Sequence, residues 1–259
     1  MNDRRTVALI YHDLAAPDAV DAVGFPGAAA ARYKLTPEAF AGHLDAIART
    51  GVRVGLVHDR AQAALTFDDG GASAIQAADL LEARGWRGHF FITTGRIGSA
   101  GFLDREQVAE LARRGHDVGS HSHSHPTYMG TLSHGELAAE WRRSAEVLAD
   151  ITGSRPLHAA VPGGFVSDAV IAEASAAGYR MLMTSRPTAG ARIVDGMEVR
   201  GRFTIWEATS PQRAAAYARG DPLARLGMWA ANELKTAPKR LSPRAYEAAR
   251  QAWARFRHP

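Results

Sequence analysis

The chain has 259 residues, 46% of them hydrophobic, with no apolar tract long enough to span a bilayer; this predicts one sizeable core in a soluble domain of α/β type. It contains no cysteine, which excludes disulfides, thiolate catalysis and cysteine metal ligands, so any metal must be held by His, Asp or Glu. The net charge of +4 is uneven, because residues 235–259 carry seven Lys/Arg against one Glu and leave residues 1–234 slightly acidic.

Taken in chain order, Val7 to Tyr11 is an apolar run too short for a signal-peptide core although Arg4 and Arg5 precede it. It reads as a buried strand, and the absence of a secretion signal predicts a cytoplasmic protein. Residues 13–35 are rich in Ala, Asp, Pro and Gly without helical periodicity, which predicts a long loop of the kind that borders active sites. Val52 to Val57, Ala63 to Phe67 and His89 to Thr93 read as further buried strands.

Asp104 with Gln107, and Ser133 with Glu136, fit the reciprocal capping arrangement that satisfies the first free amides of a helix. These helices are predicted to run to Arg114 and Ile151. Ser167 can cap a third helix ending at Gly178, after which Tyr179 to Thr184 reads as a strand. After Ser242 and Pro243, apolar Tyr246, Ala249, Trp253 and Phe256 recur at helical spacing and predict an amphipathic terminal helix. Strands alternating with helices point to a largely parallel sheet or barrel. The expected organisation is a catalytic domain over residues 1–234 and a basic helix or tail over 235–259.

Two stretches carry chemistry. In Leu65-Thr66-Phe67-Asp68-Asp69-Gly70, two carboxylates stand side by side where an apolar strand stops and a glycine permits a sharp turn. Alone, Asp-Asp-Gly reads equally as a solvated turn. In Gly119-Ser120-His121-Ser122-His123-Ser124-His125-Pro126, three imidazoles alternate with serines too small to obstruct a cation. An extended strand would face all three the same way, whereas a helical turn would separate His123 from the other two; the sequence leaves both open. One Asp and two His make three ligands with positions open for water and substrate, and the second Asp is then free to act as a base.

Thr66-Phe67-Asp68-Asp69-Gly70, then His121 to Pro126, then Pro162-Gly163-Gly164, resembles the polysaccharide deacetylases of carbohydrate esterase family four, the NodB-type domain, over residues 5–205. The resemblance implies a distorted (β/α) barrel with fewer than eight strands. It implies metal-dependent hydrolysis of the N-acetyl group of an N-acetylated amino sugar, with Asp68 as base, Asp69, His121 and His125 as metal ligands, and His123 as a spacer. Zinc is the first expectation for the cation, with cobalt, nickel, manganese or iron able to use the same ligand set.

The match departs from the family pattern in two places. The arginine that orients the base two residues before Pro162 is Ala160 here, and Arg202 is the candidate to replace it. The later leucine-flanked histidine that serves as general acid is absent from Arg200 to Ile205. The opening Leu9-Ile10-Tyr11-His12, however, resembles the exopolysaccharide-deacetylase branch with permuted motif order, which makes His12 the expected acid.

A backbone amide near Gly163, in the turn after Pro162, is expected at the oxyanion. Among Trp86, Phe102, Tyr128, Phe165 and Trp206, Tyr128 is the expected sugar-stacking residue. The basic tail reads either as a terminal helix packed on the barrel or as a peripheral contact with anionic membrane beside lipid-linked glycans. No nucleic-acid partner is expected. A metal-dependent esterase and a carbohydrate-binding relative that has lost turnover are the competing readings.

Overall fold

The computed structural model describes residues 6–164 and 166–229. The predicted basic helix at 235–259 and Phe165 lie outside them. Among the described residues, nine strands form one sheet: β1 (Val7–Tyr11), β2 (Ala63–Phe67), β3 (His89–Ile92), β4 (Asp117–Ser120), β5 (His158–Ala160), β6 (Met181–Met183), β7 (Ala191–Val194), β8 (Met197–Arg200) and β9 (Phe203–Thr204). Their order is β7-β8-β6-β5-β4-β3-β2-β1-β9, with every pairing parallel except that of β7 with β8.

Between these strands run α1 (Ala28–Ala31), α2 (Pro37–Ala48), α3 (Ala74–Glu82), α4 (Arg105–Arg113), α5 (His134–Thr152), α6 (Asp168–Ala176) and, after β9, α7 (Pro211–Ala218). The capping predictions hold: Asp104 and Gln107, and Ser133 and Glu136, each exchange side-chain and backbone bonds, and Ser167 caps α6. Gly153, at φ 75°, closes α5 in the left-handed conformation that glycine adopts without strain.

The strands alternate strictly between two environments. On β1 and β2, Val7, Leu9, Tyr11, Ala63, Leu65 and Phe67 face outward into the layer formed by α2, α3, α4 and α7. Their neighbours Ala8 and Ala64 join Phe91, Ala160, Met181 and Met183 in a separate cluster that fills the inside of the curled sheet. Arg200 crosses this interior, its Nη1 donating to the Thr6 carbonyl at 3.0 Å, so β8 approaches β1 although the two do not pair. The sheet is thus a distorted barrel, as expected.

The strand count differs from the expected fewer than eight. Six strands, β1 to β6, follow the strand–helix rhythm, and the β7–β8 hairpin and the two-residue β9 bring the total to nine. Val52 to Val57 is not a strand, since only Val54 forms an isolated bridge, to Ala63. Its apolar residues Leu56 and Val57 are buried because the turn Val57–Asp59 folds under the barrel.

Phe91 is fully buried in the lumen cluster, so Phe91→Ala is expected to destabilise the fold by about 3–5 kcal/mol. Urea unfolding should show a lower midpoint with an unchanged slope.

Candidate metal centre

The period of two that sorts core from lumen also builds the site. Ala64 and Thr66 face the lumen, so the next residue of that parity, Asp68, does too. Ala8 and Ile10 lead in the same way to His12. β1 and β2 are in parallel register with Ile10 opposite Thr66, and the Asp68 amide donates to the Tyr11 carbonyl, which brings His12 and Asp68 together at the carboxyl ends of the strands.

Asp69 and Gly70 then turn back at φ 77° and 79°. The glycine is required, since a Cβ at 70 would lie 3.1–3.3 Å from Ile92 backbone and side-chain atoms. Asp69 has no such exemption, and holding a non-glycine residue there costs on the order of 1 kcal/mol. That strain aims its carboxylate at the histidine loop.

That loop is neither strand nor helix. His121 leaves β4, and Ser122 and His125 both take left-handed backbone, at φ 63° and 60°. The turn is held by side chains: Ser120 Oγ accepts from the Ser122 amide, Ser122 Oγ from the His125 amide, and Glu140 from the amides of His123 and Ser124. His123 is directed away to Thr94 Oγ1, 3.0 Å from its Nδ1. His121 and His125 converge instead, each with Nε2 3.4 Å from Asp69 Oδ1.

This donor set fits a divalent cation. Bonds of about 2.0–2.1 Å in a tetrahedral arrangement separate ligand atoms by roughly 3.3 Å. His121 Nδ1 donates to the Ala160 carbonyl at 2.9 Å, which fixes the tautomer with its Nε2 lone pair toward Asp69. Burial lowers the His121 pKa to about 4, so its imidazole is neutral. Burial alone would raise Asp69, but the bond to His125 and the nearby His12 and His121 hold it well below the usual carboxylate range.

Asp68 is kept apart from this set. Arg202 grips it with two bonds, Nη1 to Oδ1 at 2.6 Å and Nη2 to Oδ2 at 2.8 Å. The same guanidinium donates to Thr66 Oγ1 and the Thr184 carbonyl and lies over the Phe91 ring. Burial pushes Asp68 up, but Arg202, His121 and His12 outweigh it and its pKa falls below the ordinary value. Arg202 therefore stands on the base candidate, reaching it from the segment after β8, whereas the Ala160 position on β5 carries no guanidinium.

A cavity of about 1160 Å³ opens above the centre, lined by His12, Asp68, Asp69, His121, His125 and Arg202 among others. Gly163, in the turn Pro162–Gly164 at φ 64°, reaches this cavity; Pro162 is buried behind it. His12 Nδ1 is buried without a hydrogen-bond partner, and its ring lies against Tyr33 at 4.7 Å.

Sequence reasoning missed several residues. Tyr33 and Phe25 line the cavity, as does Trp206, one of the stacking candidates, whereas Tyr128 is not among its lining residues and Trp86 packs against the core. Phe25 lies on His125 at 4.7 Å, on a loop stapled from below by buried Lys34, whose ammonium donates to the carbonyls of Val20, Val23 and Phe25. Asp13 is held between Gly24 and Gly71, where no Cβ would fit, and burial raises its pKa to about 7. Only its adjacence to His12 could have drawn attention to it.

Comparison with known proteins agrees with the motifs. The polysaccharide deacetylase family model matches residues 57–182, the stretch from the turn under the barrel into β6. The chain is 30% identical over 122 residues to a chitin deacetylase of Arthroderma benhamiae, covering 46% of this chain and 32% of that protein. It is 32% identical over 107 residues to the peptidoglycan-N-acetylmuramic acid deacetylase PdaC of Bacillus subtilis, covering 40% and 22%. The chain thus spans less than a third of these two relatives. The fold matches IcaB from Ammonifex degensii with a TM-score of 0.67 at 22% identity, over 83% of this chain and 97% of that one. It also matches a polysaccharide deacetylase from Bacillus cereus with a TM-score of 0.69 at 19% identity, over 83% and 69%.

Arg202→Lys keeps a cation but loses the two-pronged grip. The carboxylate pKa should rise, so the acid limb of a pH–rate profile moves to higher pH and kcat falls roughly 100-fold. Arg202→Met leaves Asp68 buried without a partner and should cost about 3–5 kcal/mol in urea unfolding.

Proposed function

We propose that the chain hydrolyses the N-acetyl group of an N-acetylated amino sugar, in a polysaccharide or a lipid-linked glycan, and releases acetate. The observation that carries this is the division of labour between adjacent carboxylates: Asp69 is spaced for a shared cation with His121 and His125, and Asp68 is reserved by Arg202. A mere scaffold has no use for that division. The relatives named for chitin and peptidoglycan deacetylation support the substrate class.

Asp69, His121 and His125 would hold the cation, zinc first, with cobalt, nickel, manganese or iron suited to the same donors. When bound it supplies Lewis acidity at the acetyl carbonyl and acidifies water at the site. Asp68, kept ionised by Arg202, takes the proton from the attacking water. The Gly163 amide, in a turn without a side chain at that position, donates to the oxyanion. His12, on the same inner face as Asp68, returns a proton to the leaving amine nitrogen. Trp206 and Tyr33 offer faces to the sugar ring.

No described helix is long and apolar enough to cross a membrane. We assign the basic residues 235–259 a peripheral contact with anionic lipid, which would bring the cavity near lipid-linked acceptors.

Acetate release should be measured from N-acetylglucosamine oligomers and lipid-linked acceptors with metal-loaded, chelated and Asp68→Asn protein. The expected result is acetate only from loaded wild type, with Asp68→Asn slower by about a thousand-fold yet still binding metal. Metal binding without acetate from any acceptor would contradict the deacetylase reading. His12→Gln should lower kcat about 100-fold while metal binding is unchanged; an unchanged kcat would exclude His12 as the acid.

A further inference from the structure

Residues 13–35 close on themselves at their base, where the Leu35 amide donates to the Asp13 carbonyl at 3.1 Å and the Ala15 amide to the Leu35 carbonyl at 2.9 Å. The loop so formed is the roof of the cavity, with Phe25 on His125 and Tyr33 on His12. The three bonds of Lys34 run to Val20, Val23 and Phe25, all within the loop. They stiffen the roof as one body but do not set its distance from the barrel.

That distance is set at Asp13. Its side chain is 2% exposed and stands between two glycines of different segments: a Cβ on Gly24, in the roof, would fall 1.9 Å from Oδ2, and one on Gly71, two residues after Asp69, 1.8 Å from Oδ1. Gly71 is not among the residues of positive φ, so its lack of a side chain answers to the carboxyl group and not to the backbone. The Gly101 carbonyl bridges the same two segments, accepting from the Gly24 amide at 2.7 Å and from the Ala72 amide at 2.9 Å.

The carboxyl group is fixed from behind. Ser73 stands at the N-cap of α3, where a serine hydroxyl ordinarily accepts from a first-turn amide, yet it makes no such bond. Its Oγ donates instead to Asp13 Oδ1 and accepts from the Leu14 amide, both at 2.9 Å. Asp13 Oδ2 is buried and has no hydrogen-bond partner among the described residues. A carboxyl group with one oxygen tied and the other packed against a glycine serves by its shape.

We propose that Asp13 is a positioning residue for the substrate: its carboxyl group is the spacer that holds the roof tip at Gly24 against the metal loop at Gly71, and so sets the height of Phe25 and Tyr33 above the centre. It acts through those two rings and not on the reacting atoms. The metal loop does not depend on it, because the Asp69 carbonyl accepts from the Thr93 amide at 3.1 Å and the Gly70 carbonyl from the Leu103 amide at 3.0 Å. The backbone of Gly24 and Phe25 makes, among the described residues, one hydrogen bond outside the loop, that to Gly101. Loss of Asp13 should therefore release the roof and leave the cation donors in place. That the roof contacts a sugar rests on the deacetylase reading; how the roof is held does not.

Acetate-release kinetics on N-acetylglucosamine oligomers and hydrogen exchange by mass spectrometry test it together on the full chain. In Asp13→Ala, KM should rise about 10-fold with kcat and zinc affinity within about 3-fold of wild type. Amides of residues 19–27 should exchange faster, while peptides spanning Thr93 and Leu103 keep their protection. Asp13→Asn, which keeps the shape, should match wild type in both readouts. Gly71→Ala should mimic Asp13→Ala, because the new Cβ displaces the carboxyl group, and the double variant should be no worse than either single one, since the gap at position 13 accepts the methyl. A merely structural role would lower the urea midpoint without splitting KM from kcat. Unchanged KM and exchange in Asp13→Ala, an Asn variant as impaired as the Ala variant, or additive effects of Asp13→Ala and Gly71→Ala would each overturn the proposal. If no oligomer yields acetate, the deacetylase reading fails, and exchange in residues 19–27 alone decides whether Asp13 holds the roof.

Discussion

The buried ion pair between Arg202 and Asp68 is the contact on which the rest of the molecule depends. It joins the segment after β8 to the end of β2, which are remote in the order of the sheet, and so holds the curl that makes a cavity of the carboxyl ends. The same two bonds hold one carboxylate of an adjacent pair, one to each oxygen, and leave the other to the histidines. Removing two charges from water is expensive, and a pair of this kind earns little net stability against apolar replacements of the same shape. Its place at the floor of the cavity, beside the Asp69, His121 and His125 donors, supports the proposed role of Asp68 as a fixed, ionised base.

Sequence period explains why the site and the sheet were legible to different degrees. Asp68, Asp69, His121 and His125 stand in dense, unusual local patterns, and the structure brings all four to one end of the barrel. His12 and Arg202 were legible only through departures from a pattern, yet both fall on the inner face because strand parity puts them there. The spacing of His121, His123 and His125 could not be resolved from sequence, because the turn depends on Ser120, Ser122 and the distant Glu140. Helices with strong caps were read from their starts. The Ala-rich α2, α3 and α7 have no reciprocal capping box at their starts, and β7, β8 and β9 are too short to show alternation. Val52 to Val57 misled because burial under a barrel gives the same apolar run as a strand.

The roof of the cavity follows a different logic from its floor. Residues 13–35 contain little regular structure, and their backbone carbonyls would be costly to bury without donors. Lys34 supplies three bonds from one ammonium, which fixes the loop that presents Phe25 to His125 and Tyr33 to His12. The aromatic surface expected near Tyr128 is thus provided by the loop and Trp206. Long-range placement of this kind leaves no local signature, since Lys34 and Phe25 are unremarkable by themselves.

We propose that a cation sits among Asp69, His121 and His125 while Asp68 stays on Arg202. Anomalous X-ray scattering from crystals soaked in cobalt tests this most directly. The expected result is a peak bonded to one Asp69 oxygen and to the Nε2 atoms of His121 and His125, with both Asp68 oxygens still accepting from the guanidinium. A peak bonded to Asp68, with Arg202 displaced, would contradict it.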